Sequence, residues 1–228
     1  MKPIHFFWLL VPLVLTSQLA LTQSRPPTGG VYLGTRFNGS YLEKHVFYFA
    51  PNGVLYKNPE GADATSLARH RGEKHRYTVS GKTINIRRAN GSNTQGEFNP
   101  ADPGGFSLDG LIMTLRKPFT RPQELVGKFD GGESISGASA ASSLQLNADG
   151  TYSGYTVTSV STQTDAGRTD LGAQGGTSGT WRWSGWTLQF RDRAGNVSNQ
   201  IVFPYEFRGA GTEMKRYMYV GGVMYTRR

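Results

Sequence analysis

The chain has 228 residues, with 30 glycines, no cysteine and a formal charge of +9 at neutral pH. The missing cysteine excludes disulfides, thiolate metal sites, a cysteine nucleophile and lipid attachment through a thiol. A chain this long buries a core without cross-links, which favours a bacterial exported protein, periplasmic or released, over a small disulfide-built domain. The positive charge either draws anionic partners such as acidic glycans and lipid headgroups, or keeps an exported protein soluble.

Residues 1–24 read as a secretory signal peptide. Lys2 supplies the positive start, Phe6–Leu15 the apolar stretch and Ala20–Ser24 a small-residue exit, with cleavage fitting after Thr22 or after Ser24. Pro12 interrupts an apolar run that is already short for a membrane span, and no second such run follows. Asn38, Asn90 and Asn196 head Asn-X-Ser triplets, each in a turn-like stretch where Asn and Ser are expected anyway.

A short lead-in, Arg25–Gly30, precedes a first β unit over residues 31–117. Pro118–Gln123, with two prolines, is a stiff connector, and a second β unit fills residues 124–228. The two units repeat one another. Tyr77–Arg87 matches Trp181–Arg191 at an offset of 104, with Ser80-Gly81 and Ser184-Gly185 as the shared turn. Phe47–Gly53 matches Leu144–Gly150 at an offset of 97, and Leu108–Thr114 matches Val220–Thr226 at an offset of 112. Leu33–Gly39 pairs with Val126–Gly131, with one residue gained in the first unit. The drift marks insertions, which belong in loops.

In chain order each unit alternates strand and turn. Phe47/Phe49 and Leu144/Leu146 alternate before the Asn52-Gly53 and Asp149-Gly150 turns. Strands follow at Val54–Tyr56 and Thr151–Val157, then a long loop, then two strands around each Ser-Gly turn. Asn90-Gly91 and Ala194-Gly195 turn the chain again, and hairpins at Asp109-Gly110 and Gly221-Gly222 close the units. A short helix fits Ala64–His70. The expected fold is all-β: two tandem antiparallel units of seven or eight strands, each a small barrel or a sandwich.

Gly34-Thr-Arg-Phe37 and Gly127-Lys-Phe129 open the units with a glycine followed by an aromatic. This resembles the opening of lipocalin-like domains, where a Gly-X-Trp element begins the first strand and its aromatic plugs one barrel end. The second unit has the spacing with Phe for Trp; the first has an extra residue. The resemblance implies a barrel and an apolar ligand, and it carries over no binding residues.

Two long loops occupy equivalent places, Lys57–Lys74 and about Ser159–Ser178; such loops are either functional or excursions without fixed structure. The first holds His70 and His75 among Arg69, Arg71, Lys74 and Arg76, a set that suits a phosphate or a carboxylated sugar, offers a general base in His75, or is a solvated charged loop. The surrounding cations and the lack of a close carboxylate pair speak against a metal. Trp181, Trp183 and Trp186 flank the second Ser-Gly turn and would stack on sugar rings, line an apolar pocket, or form a core stripe with Trp186 exposed.

Arg69, His70, His75, Arg76, Trp181, Trp183 and Trp186 are therefore the candidate ligand-binding residues. Catalysis has no positive support: no nucleophile elbow is present, and Glu97, Glu206 and Glu213 are acids without a motif. The expected function is non-enzymatic binding of an apolar or anionic envelope-associated molecule, lipid or glycan, with no cofactor, metal or nucleic acid. The alternatives are an envelope protein-interaction or structural module and a glycan or lipid hydrolase.

Overall fold

A computed structural model describes residues 28–39, 41–98, 104–135, 138–164, 167–208 and 214–228. The expected signal peptide and Glu213 lie outside these residues. Glycine turns between short alternating strands produce a meander in which each strand pairs with the next. The first eight strands are β1 (Gly30–Asn38), β2 (Tyr41–Phe49), β3 (Val54–Lys57), β4 (Lys74–Ser80), β5 (Thr83–Arg87), β6 (Asn93–Phe98), β7 (Gly105–Leu108) and β8 (Leu111–Arg116). β8 returns to β1, with Met113 opposite Gly34, and closes an eight-stranded antiparallel barrel. The helix α1 (Ala64–Arg69) lies between β3 and β4.

A 3-10 turn at Pro122–Glu124 leads into the second barrel. Its strands are β9 (Gly127–Ile135), β10 (Ala138–Leu146), β11 (Thr151–Thr164), β12 (Gly167–Ser184), β13 (Thr187–Asp192), β14 (Val197–Arg208), β15 (Met214–Val220) and β16 (Val223–Arg227), with β16 closing onto β9. The choice between barrel and sandwich is thus settled as two closed barrels.

The repeat extends to individual backbone bonds. The Tyr77 amide donates to the Gly53 carbonyl at 2.9 Å, and the Trp181 amide donates to that of Gly150 at 2.8 Å. Gly81 and Gly185 both have φ of 57°, whereas Lys82 and Trp186 stay outside the left-handed region. Positive φ at only the first of two central residues is the pattern of a type II′ hairpin turn.

Strand register corrects one part of the sequence alignment. Gly34 faces His45 and Met113, and Gly131 faces Ser142 and Tyr225, so Gly34 corresponds to Gly131 and Tyr32 to Phe129. The first-unit counterpart of Gly127-Lys-Phe129 is Gly30-Val-Tyr32, with no residue gained. Tyr32 and Phe129 are buried inside their barrels, whereas Phe37 points outward and is 81% exposed. A Cβ on Gly34 would meet Met113 and Phe47 at 2.9 Å, and one on Gly131 would meet Val223 at 2.7 Å. Both barrels therefore need glycine there, where β1 and β9 pass close over their neighbours.

The second long loop is also corrected. Residues 159–164 and 167–178 belong to β11 and β12, which pair continuously from Tyr152–Gly179 to Thr164–Gly167. The pairing of β12 with β13 begins at Gly179, so residues 167–178 of β12 pair with β11 alone among the described strands.

Each barrel has its own core. The first is built on Tyr32, Phe47, Phe49, Tyr77 and Phe106, with edge-to-face ring contacts centred 5.1–5.8 Å apart. The second includes Phe129, Leu146, Trp181 and Leu188, together with Phe119 and Leu125 from the connecting segment. A third cluster joins the barrels: Val31, Leu33 and Val46 on the outer face of the first pack against Ile201, Phe203 and Tyr219 of the second. Each buried apolar side chain in this contact contributes about 1.5–3 kcal/mol relative to leaving it exposed. The contact also explains why Val31-Tyr32-Leu33 is apolar on both faces of β1.

The β3–β4 connection clasps the second barrel. The Ala62 amide donates to Thr187 Oγ1 at 2.9 Å, and Asn199 Nδ2 donates to Ser66 Oγ at 2.7 Å. Trp186 Nε1 donates to the Arg116 carbonyl at 3.3 Å, and the Arg116 guanidinium lies 4.6 Å from the centre of the Tyr205 ring.

Candidate functional site

The strongest site is the open end of the first barrel, opposite the end filled by Tyr32, Phe49 and Tyr77. Alternation sends every second side chain inward. Along β2 the inward series is Glu43, His45, Phe47, Phe49, so the wall changes from aromatic to charged towards the mouth. Arg36 on β1, Lys57 on β3, His75 on β4 and Thr94 on β6 join it, with Glu73, Arg88 and Asp109 from the adjoining turns. Phe47, Leu55, Ile86, Leu108 and Leu111 form an apolar floor under a cavity of about 170 Å³.

Three base–acid groups make the collar. Arg36 donates to Glu43 Oε2 at 2.8 and 2.6 Å, and His45 Nε2 lies 2.7 Å from Glu43 Oε1. Lys57 donates to Glu73 at 2.9 Å, with His75 Nε2 at 3.5 Å from the same carboxylate. Arg88 pairs with Asp109. The Arg36 hydrogen bond, then that of His45, holds the Glu43 carboxyl below its usual range. The Lys57 hydrogen bond does the same for Glu73 against a smaller effect of burial.

The two histidines differ. Asn58 accepts from the Val46 amide through Oδ1, which leaves its Nδ2 to donate to His45 Nδ1 at 3.2 Å. That assigns the His45 proton to Nε2, facing Glu43. His75 has no such partner: its Nδ1 is buried and makes no hydrogen bond among the described residues. A buried polar atom left unpaired calls for an explanation, and a wall facing a cavity offers one.

The collar is peculiar to the first barrel. By strand register, His45, Lys57, His75 and Arg88 correspond to Ser142, Gly154, Gly179 and Asp192. There the Ser142 hydroxyl lies 3.1 Å from that of Tyr225, and Asp192 accepts from Asn196. The second barrel instead carries a more open depression of about 590 Å³ beside Tyr152, Gly179 and Arg191. Among the described residues no group of three or more His, Asp and Glu is arranged to hold a metal.

The structure does not bring the seven sequence candidates together. His75 lines the cavity, and Arg76 beside it on β4 points out to solvent. Arg69 is exposed at the end of α1, and the His70 ring sits edge-on to Tyr56 at 5.6 Å. Trp181 is buried in the second core with Nε1 donating to the Asn147 carbonyl at 3.1 Å, and Trp183 packs against that core. Trp186 lies between the barrels, 6.3 Å from Tyr48.

Sequence reasoning missed Arg36, Glu43, His45, Lys57, Glu73, Arg88 and Asp109. The available signal was the alternation Glu43-x-His45-x-Phe47-x-Phe49, whose polar members share a face with the core aromatics. No helix among the described residues is long and apolar enough to cross a membrane. In comparisons with known proteins, no family model matches this chain, and neither a curated protein nor a solved structure matches it.

Proposed function

We propose that this chain is an exported, non-enzymatic binding protein whose first barrel takes a small amphipathic anion, with the acid group in the collar and the apolar end on the floor. The observation that carries the reading is the depth of the charges. Lys57 is 26% exposed and its partner Glu73 59%, and Arg88 is likewise deeper than Asp109. In two of the three groups the base sits inside and the acid outside, so an incoming carboxylate replaces a solvated carboxylate on a deeper cation. His75, whose Nε2 lies 3.5 Å from Glu73, is a further polar group at the same level.

The lipocalin-like resemblance supports the same reading. Tyr32 and Phe129 plug equivalent barrel ends, and the Arg227 guanidinium lies 4.9 Å from the centre of the Phe129 ring while donating to the Val126 and Glu124 carbonyls. Closed floors and one open mouth suit capture of a molecule from one direction. Titration of the full chain with hexanoate, followed by amide NMR, tests the reading. Saturable shifts confined to the first-barrel mouth are expected; no saturable binding of hexanoate or other short-chain carboxylates would overturn it.

A further inference from the structure

We propose that the mouth end of the first barrel docks onto an anionic lipid surface, so that the cavity opens towards the bilayer from which its ligand is drawn. The docking surface rests on that mouth being the ligand site. Three of the five exposed large apolar residues among the described ones cluster on this rim: Phe37, Leu42 and Ile112. Phe37 and Leu42 are direct cross-strand partners at the β1–β2 end, and Ile112, 67% exposed, lies opposite Thr35 just below the Asp109-Gly110 turn. Their chain neighbours Arg36, Glu43 and Leu111 point into the mouth, so the outward direction of all three follows from alternation.

The other side of the rim is basic. Arg76 and Arg87 are directly opposite one another on β4 and β5, an arrangement that like charges disfavour in a sheet. Both are exposed, and neither has a carboxylate partner among the described residues. Lys74, two residues along β4, is exposed on the same face, and Arg71 is exposed in the turn before it. His75 and Arg88, the neighbours of Arg76 and Arg87, line the cavity, which places these cations at the height of the mouth. In the second barrel Arg76 is replaced by Thr180.

Exposed apolar tips across the mouth from cations that lack a carboxylate partner among the described residues match the two layers of a membrane surface, acyl boundary and anionic headgroup. A soluble polyanion would use the cations and leave Phe37 and Ile112 without a role.

The experiment is flotation of the full chain, without leader, with phosphatidylglycerol-containing vesicles and with pure phosphatidylcholine vesicles. Partition onto the anionic vesicles alone is expected. Removing two headgroup-facing cations in Arg76→Ser/Arg87→Ser should weaken it roughly thirtyfold, and Phe37→Ser/Ile112→Ser roughly tenfold. All four positions are exposed, and matched thermal melts check that the variants fold. No partition, equal partition onto both vesicle types, or unchanged binding by either double variant would overturn the docking. Retention on heparin without partition would do the same, making the rim a polyanion site. Hexanoate titration without vesicles reads the cavity separately, so loss of docking with intact hexanoate binding overturns only the membrane surface.

Discussion

Asn199 of the second barrel donates to the Ser66 hydroxyl of the first at 2.7 Å, and Ser66 in turn donates to Asp63 at 2.5 Å. The same Asp63 caps α1 by accepting from the Ser66 amide at 3.0 Å. One carboxylate thus fixes both a helix start and the approach of a neighbouring barrel.

This arrangement sets a pH response. Burial alone would raise the Asp63 pKa, but hydrogen bonds from Ser66 and Thr187 outweigh it and hold it below the ordinary 3.8. A depressed folded value stabilises the native state above the unfolded pKa and loses that contribution as pH falls through the folded one. Asp63→Asn should therefore flatten part of the acid branch of the melting profile below pH 3.8. Identical acid branches for wild type and variant would show that the clasp does not depend on the charge.

On two tyrosines burial prevails. Desolvation, with a smaller effect of neighbouring tyrosines, pushes Tyr32 and Tyr77 up from 10.0 to about 12. An acid with a raised folded pKa favours the fold below its unfolded value, and the contribution disappears as pH climbs to the folded one. Absorbance titration should show a late tyrosinate step near pH 12, accompanied by loss of near-ultraviolet circular dichroism. Complete titration of all tyrosines near pH 10.0 with the fold intact would contradict this burial.

The turns were legible in the sequence because their physics is local: Gly81 and Gly185 need positive φ whatever surrounds them. The pairing of Gly34 with Gly131 was not, since both units contain two glycines four residues apart and only strand register chooses between them. The collar was hidden for a different reason. Arg36, Lys57 and Arg88 point inward but sit above the core, so their charges interrupt the apolar alternation and read as strand ends. Trp186 looked exposed because its corresponding residue in the first unit is Lys82; its partial burial comes from packing near Tyr48 of the other barrel.

The collar predicts a graded response to substitution. His75→Gln retains polarity at the wall, whereas His75→Leu removes any donor and should weaken hexanoate binding roughly tenfold, about one charge-assisted hydrogen bond. Lys57→Met should weaken it further, because Glu73 then faces the ligand without its cation. Equal affinities across this series would move the site elsewhere.

The third cluster predicts how the protein unfolds. A Cβ at Gly81 or Gly185 would meet nothing within 4 Å, so Gly81→Val and Gly185→Val test backbone strain alone, at about 1–3 kcal/mol each. Were the barrels independent, each substitution would shift one of two denaturation transitions. Val31, Leu33 and Val46 instead share a buried cluster with Ile201, Phe203 and Tyr219, and Trp186, next to Gly185, packs on that same cluster. Wild type should therefore unfold in a single urea transition, and either valine variant should lower its midpoint as a whole. Leu33→Ala, which opens the cluster without touching a turn, should cost about 2–5 kcal/mol and broaden or split the transition as the barrels decouple. Two separate transitions in the wild type, with each valine variant moving only one, would show that the contact between barrels is too weak to couple them.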